Sequence, residues 1–249
     1  VAERTSTDLG AQRHYLEGME GFAVGDLAEA DSAFAAAAAL DPSFAQAWYQ
    51  LAITRWWGNE PADARADIGR AQANADRLSP LEREIIDGLA DLVGRRSRSA
   101  RDHFERLAAA HPDEKLVLFG LEEACFHTND FEGTVAAARR ALAVDPAFTL
   151  PGRHLVDALA ALGRHDEAWR EGGSLLRRDP RNALLFDGLV RLSSRRMMDA
   201  GAMLQLVRER TAAGFRPRSL AAALLLVARD SAAAAPELLA GDDTRPWVR

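Results

Sequence analysis

The chain has 249 residues, 48% of them hydrophobic and 27% charged, an ordinary balance for a folded, water-soluble repeat or two-domain protein. Its formal net charge of −6 argues against nucleic acid as the main partner, and its single cysteine, Cys125, excludes an intrachain disulfide framework and a cysteine-rich zinc site. No apolar run approaches the roughly 20 residues of a membrane span; the longest, at 220–228, is about half that. A single thiol and no span place the expected location in the cytoplasm. A start at Val1 rather than Met fits a chain processed or cut from something longer.

Taken in chain order, the elements form a series. Alanine-rich stretches such as AFAAAAAL (33–40) favour close-packed helices, because alanine is the best helix former and the smallest side chain that keeps helix propensity. Short turns interrupt them at GDL (25–27), GNEP (58–61), TNDF (128–131) and GRHD (163–166). SPLE (79–82) predicts a helix start with Ser79 as cap, Pro80 in the first turn and Glu82 three residues on. Prolines at 42, 112, 146 and 180 predict where second helices end, since proline cannot donate the next helical hydrogen bond. Asp-Pro, a small residue and Phe occur at 41–44 and again at 145–148.

A register runs through this series. Ala30, Ala64, Ala100, Thr134 and Ala168 are spaced 34, 36, 34 and 34 residues apart, and Phe34, Ile68 and Phe104 follow the first three by four positions. A small residue permits close helix approach, and a bulky one a turn later fills the adjoining gap. Such a period predicts helical hairpins stacked on copies of themselves. Gly172-Gly173 stands where a bulky residue belongs and is expected to weaken its helix. RPRSLAAALLLVARD (216–230) predicts a capping helix over the last unit, and 231–249, with Trp247, a loosely ordered tail. The expected division is therefore a repeat domain over 1–230 and a tail over 231–249.

Over roughly residues 11 to 216 the chain resembles the tetratricopeptide repeat (TPR) family, with its Trp-x2-Leu-Gly-x2-Tyr, Ala-x3-Phe and Pro signature. Gly18, Ala30, Phe34, Ala37 and Pro42 match in the first unit. Trp48, Leu51 and Ala64 match in the second, Gly88, Ala100, Phe104 and Pro112 in the third, Leu118, Leu121, Ala141 and Pro146 in the fourth, and Ala168 and Pro180 in the fifth. The resemblance implies an all-α, right-handed superhelical solenoid of about six antiparallel helix pairs, with the first helix of each pair lining a concave face. Carried over, that face holds Tyr15, Met19, Phe22, Tyr49, Ile53, Trp56, Trp57, Phe119, Phe126 and His127, then the charged Arg153, Arg191 and Arg195. Consecutive helical residues are about 100° apart, so at least one of Trp56 and Trp57 is expected to be exposed. Family members that clamp a terminal carboxylate use Lys and Asn where this chain has Tyr15 and Met19, which argues against that ligand class.

Catalytic signatures are absent: there is no Gly-rich phosphate loop, no His-Glu-x-x-His and no Gly-x-Ser-x-Gly. No two of the six histidines share a helix face at i, i+4. His154 and His165 fall on the two helices of one hairpin, and no acidic or cysteine partner has ligand spacing, so no metal and no cofactor are expected. The Arg-rich turn GRRSRSAR (94–101) reads as a solvated connection. The function expected is a non-enzymatic scaffold holding a protein or peptide segment in an aromatic groove. The alternative is the sensory region of a larger bacterial signalling protein, since LSPLEREIIDGLADLVGR (78–95) is similar to repeats beside kinase, cyclase or transcription-activator domains.

Overall fold

The computed structural model describes residues 6–194 and 200–212; Arg195, the expected capping helix at 216–230 and the tail at 231–249 lie outside the described residues. Those residues form twelve α-helices and no strand, paired as hairpins. The pairs are α1 (Leu9–Val24) with α2 (Leu27–Leu40), α3 (Ala45–Trp57) with α4 (Pro61–Ala73), and α5 (Pro80–Val93) with α6 (Ser97–Ala110). They continue as α7 (Lys115–His127) with α8 (Phe131–Val144), α9 (Gly152–Ala161) with α10 (His165–Arg178), and α11 (Ala183–Ser194) with α12 (Ala200–Ala212). Each helix packs on the next in the chain, and first helices also touch one another, α5 on α7, α7 on α9 and α9 on α11. The result is an all-α repeat solenoid. Among the described residues no helix is long and apolar enough to cross a membrane.

Turn chemistry explains the hairpins. Gly25, Asn59, Arg95, Asn129 and Gly163 all have positive φ, between 60° and 78°. They occur five residues before Ala30, Ala64, Ala100, Thr134 and Ala168, so the period of the small residues is also the period of a left-handed turn. Glycine and asparagine tolerate that conformation; at Arg95 it costs about 1–2 kcal/mol of steric strain. The connections between pairs use a different device. Asp41, Asp145 and Asp179 each turn a side-chain oxygen onto the backbone N–H two residues on, at Ser43 (2.9 Å), Ala147 (3.0 Å) and Arg181 (3.2 Å). Proline stands between acceptor and donor each time, its φ already fixed for the turn. The recurring Asp-Pro is therefore the stop of one hairpin. Phe44, just after it, is buried and packs in the core with Ala11, Ala37 and Ala47. The capping box at Ser79 and Glu82 forms as the sequence predicts.

The register residues do what their sizes predict. Ala30, Ala64, Ala100, Thr134 and Ala168 have no exposed surface, and Phe34 and Phe104 are fully enclosed. Their rings fill space that only glycine leaves: a Cβ on Gly18 would lie 2.6 Å from the Phe34 ring, and one on Gly120 2.2 Å from Phe104. At Gly172 the bulky residue of the register is replaced from outside the helix. α10 runs through Gly172-Gly173 unbroken, because Val156 and Leu189 close onto the glycine, 2.6 and 2.9 Å from where a Cβ would stand, and occupy the volume of the missing side chain.

Candidate concave binding site

The first helices α1, α3 and α7 send aromatic residues toward the inside of the superhelix, where they meet across repeats. Phe22 stacks on Trp57 with centroids 5.0 Å apart, Trp57 stands edge-on to Phe119 at 5.8 Å, and Phe119 does the same to Phe148 at 5.4 Å. At one rim of the winding, the turn at Gly25 lies directly against α11, with Leu184 Cγ 2.7 Å from where a Gly25 Cβ would be. The first and sixth units thus touch. Phe22, Ile53 and Phe119 are buried, between 3% and 4% exposed, and offer a partner little surface. Met19 is half-buried against the same core.

Neither indole of the Trp56-Trp57 pair is exposed, contrary to the expectation from helical geometry; both are half-buried. The tight winding supplies a wall on each side. Trp57 sits between Phe22 and Phe119 and beneath the Arg153 guanidinium (5.7 Å), while Trp56 leans on His127 from α7 (centroids 4.7 Å apart). Both still border a cavity of about 340 Å3 that Phe126, His127, Arg153 and His154 complete, with Arg95 at its edge. Tyr49 is half-buried and borders a smaller cavity of about 150 Å3 with Tyr15, Ile85 and Leu116. Tyr15 itself leans on Phe44, with centroids 4.9 Å apart. Arg191 is exposed but engaged, its guanidinium 3.0 Å from Asp157 one repeat earlier. It borders a third cavity, of about 300 Å3, with Phe126 and Phe131.

A buried cluster that sequence reasoning missed lies behind this cavity, which one of its members, His154, borders. Glu122 and Glu123 of α7 face His154 of α9, whose Nδ1 is 3.0 Å from Glu122 Oε1 and 3.2 Å from Glu123 Oε1. All three residues are at most 4% exposed. Phe126 stacks flat on the His154 ring (3.9 Å, 6°), and Trp57 Nε1–H donates to the other Glu123 oxygen at 3.4 Å. Burial pushes the Glu122 carboxyl up, only partly offset by His154. Burial pulls the His154 imidazole down, but the charges of Glu123 and Glu122 outweigh it and hold the ring protonated. Burial also opposes ionisation of Glu123, yet His154, His127 and Arg153 together bring it below the usual carboxylate range. The sequence signal was two adjacent acids inside the otherwise apolar KLVLFGLEEACFH; pairing His154 with His165 looked at the wrong neighbour. Cys125, on the same helix, is buried, its thiol pushed up to about 12 by burial and Asp130.

No protein-family profile and no curated protein matches the sequence. Solved structures do match. Yeast Tom70 superposes with a TM-score of 0.58 at 15% identity over 95% of this chain, and TTC0263, a TPR protein of Thermus thermophilus, with 0.54 at 19% over 76%. The chain has the tetratricopeptide-repeat fold. A chain of the Cut9–Hcn1 hetero-tetramer of the APC/C matches as well, with a TM-score of 0.52 at 16% identity over 93% of this chain. The protein spans all of TTC0263 but only 42% of that APC/C chain and 53% of Tom70. Within the TPR register, the cavity lies where first helices of the second, fourth and fifth units converge, so each of those units contributes to one site.

Proposed function

We propose that this TPR protein is a non-enzymatic interaction scaffold that seats a segment of a protein partner on its concave face, in the cavity bordered by Trp56, Phe126, His127 and Arg153. One observation carries the reading: a 340 Å3 opening whose walls are half-buried aromatic rings and whose edge holds Arg153 and Arg95. Rings presented at the mouth of a concavity make favourable anchors for an apolar side chain. Flanking guanidinium groups suit an acidic residue beside that anchor. The partner segment is therefore an apolar or aromatic residue with an acidic neighbour. A net charge of −6 speaks against nucleic acid here, and the likeness to a chain from the Cut9–Hcn1 assembly supports a protein partner.

The test is selection from a random peptide library on the wild-type chain, with counter-selection on Trp56→Ala. Sequences enriched for an apolar residue next to Asp or Glu, and binding at least tenfold more weakly to Trp56→Ala, bear the reading out. Peptides that bind both proteins equally refute it.

A further inference from the structure

Glu122, Glu123 and His154 carry more than a partner groove requires. Each offers one donor atom, and the three lie within 4.8 Å of one another with all three residues buried. Neither Glu122 oxygen, nor Glu123 Oε1, accepts a well-directed hydrogen bond, although Glu122 has no exposed surface at all. A single imidazole N–H cannot point at three oxygens, so a proton on His154 leaves most of this acceptor capacity unmet. Buried carboxylate oxygens without donors are rare in native proteins and call for an unseen partner.

The spacing indicates which partner. With metal–ligand bonds of about 2.1 Å, neighbouring ligands stand about 3.0 Å apart at right angles and about 3.4 Å apart in a tetrahedron. His154 Nδ1 is 3.0 and 3.2 Å from its two carboxylate neighbours. Supporting contacts are in place as well. Phe126 fixes the plane of the imidazole, and Trp57 Nε1–H holds the far oxygen of Glu123, as outer-shell groups do around metal ligands. We propose that Glu122, Glu123 and His154 form a buried site for a divalent transition-metal ion beside the concave cavity that His154 borders. One imidazole and two carboxylates suit Zn2+, Mn2+ or Fe2+, and no thiolate stands among the three to favour a softer ion.

His154 borders the cavity, so the site lies next to open space. His127 Nε2, 3.9 Å from Glu123 Oε2, is near enough to supply a fourth ligand by a side-chain rotation. Arg153, which borders the same cavity, opposes the cation but favours an anionic group entering beside it. The site stands independently of the partner-groove reading, because its test needs no peptide.

The whole chain, freed of metal, is titrated with Co2+, followed by visible absorption, and then with Zn2+, followed by displacement of Co2+ and by the thermal midpoint. One equivalent of Co2+, displaced by Zn2+, and a Zn2+-dependent rise in midpoint are expected. Glu122→Gln keeps the volume and removes one of the two carboxylates that face His154. It should fold and bind at least tenfold more weakly, with no response of its midpoint to Zn2+. Cys125→Ser should bind as the wild type does. Absence of stoichiometric binding to the wild type overturns the proposal whatever the variants' stability, and so does a Glu122→Gln chain that binds as tightly as the wild type.

Discussion

Phe104 is held from two sides by residues without side chains, which makes Gly120→Ala a sharp test of the packing. A Cβ at Gly120 would stand 2.2 Å from Phe104 Cε1, and one at Gly88 2.5 Å from Cζ of the same ring. Two effects oppose each other. Alanine in a helix interior is favoured over glycine by about 1 kcal/mol. Overpacking a filled core costs about 1–3 kcal/mol. Phe104 is 1% exposed and cannot swing away from α7 without meeting the backbone of α5 at Gly88, so the upper half of that range applies. The net expectation is a loss of about 1–2 kcal/mol, or a midpoint lowered by roughly 2–8 °C for a chain of this size. Gly69 supplies the control: it is exposed in α4 with nothing within 4 Å of its would-be Cβ, so Gly69→Ala should gain about 0.5–1 kcal/mol. Urea unfolding followed by far-ultraviolet circular dichroism measures both. Phe104→Leu shortens the ring that clashes, so its combination with Gly120→Ala should cost less than the sum of the single changes by about 1 kcal/mol. A Gly120→Ala chain as stable as the wild type, or strictly additive changes, would refute the interlock.

How much of this was legible in the sequence follows from the distance over which each cause acts. Hairpins, caps and the small-and-bulky register are local or periodic, so Ala30, Phe34, Ser79 and the Asp-Pro stops point to their own structural roles. The ion pair between Asp157 and Arg191 was nearly legible too, since the two occupy the same position of successive units. The angle by which each hairpin is rotated on the last was not legible. That angle is a small sum of packing choices, and accumulated along the stack it decides whether Gly25 reaches Leu184. Phe22, Ile53 and Phe119 are core instead of groove because first helices meet across repeats, where Phe22 and Phe119 also wall Trp57 on its two sides. The Glu122–Glu123–His154 cluster joins α7 to α9 across one whole unit, and only the folded chain reveals that two acids in an apolar helix face an imidazole. At Gly172 the packing was not legible because neighbours, and not the residue itself, fill the volume.

Two further expectations concern the interior and the cavity wall. The Cys125 thiol, raised from 9.0 to about 12, should react with a disulfide reagent near pH 8 about a thousandfold more slowly in the native chain than in the unfolded one, three pKa units being a thousandfold in thiolate. Because the folded state keeps this proton to higher pH than the unfolded state, the thiol's contribution to stability falls as pH rises above about 9. A denaturation midpoint compared with that of Cys125→Ala between pH 8 and pH 11 shows it, and a thiol that reacts equally fast in both states contradicts it. The two adjacent indoles should separate stability from binding. Both indoles pack on the core, but Trp57 also meets Phe22, Phe119, Arg153 and Glu123, whereas the ring contact of Trp56 is with His127, which is itself exposed. A fully buried Trp→Ala change costs about 3–5 kcal/mol, so half-buried Trp57→Ala should cost about 2–3 kcal/mol and Trp56→Ala about 1 kcal/mol. Peptides selected on the wild type should then lose affinity for Trp56→Ala without a matching loss of fold. If the two variants lose stability equally, the winding that places Trp57 at the centre and Trp56 at the cavity mouth is wrong, and with it the assignment of Trp56 as the anchor.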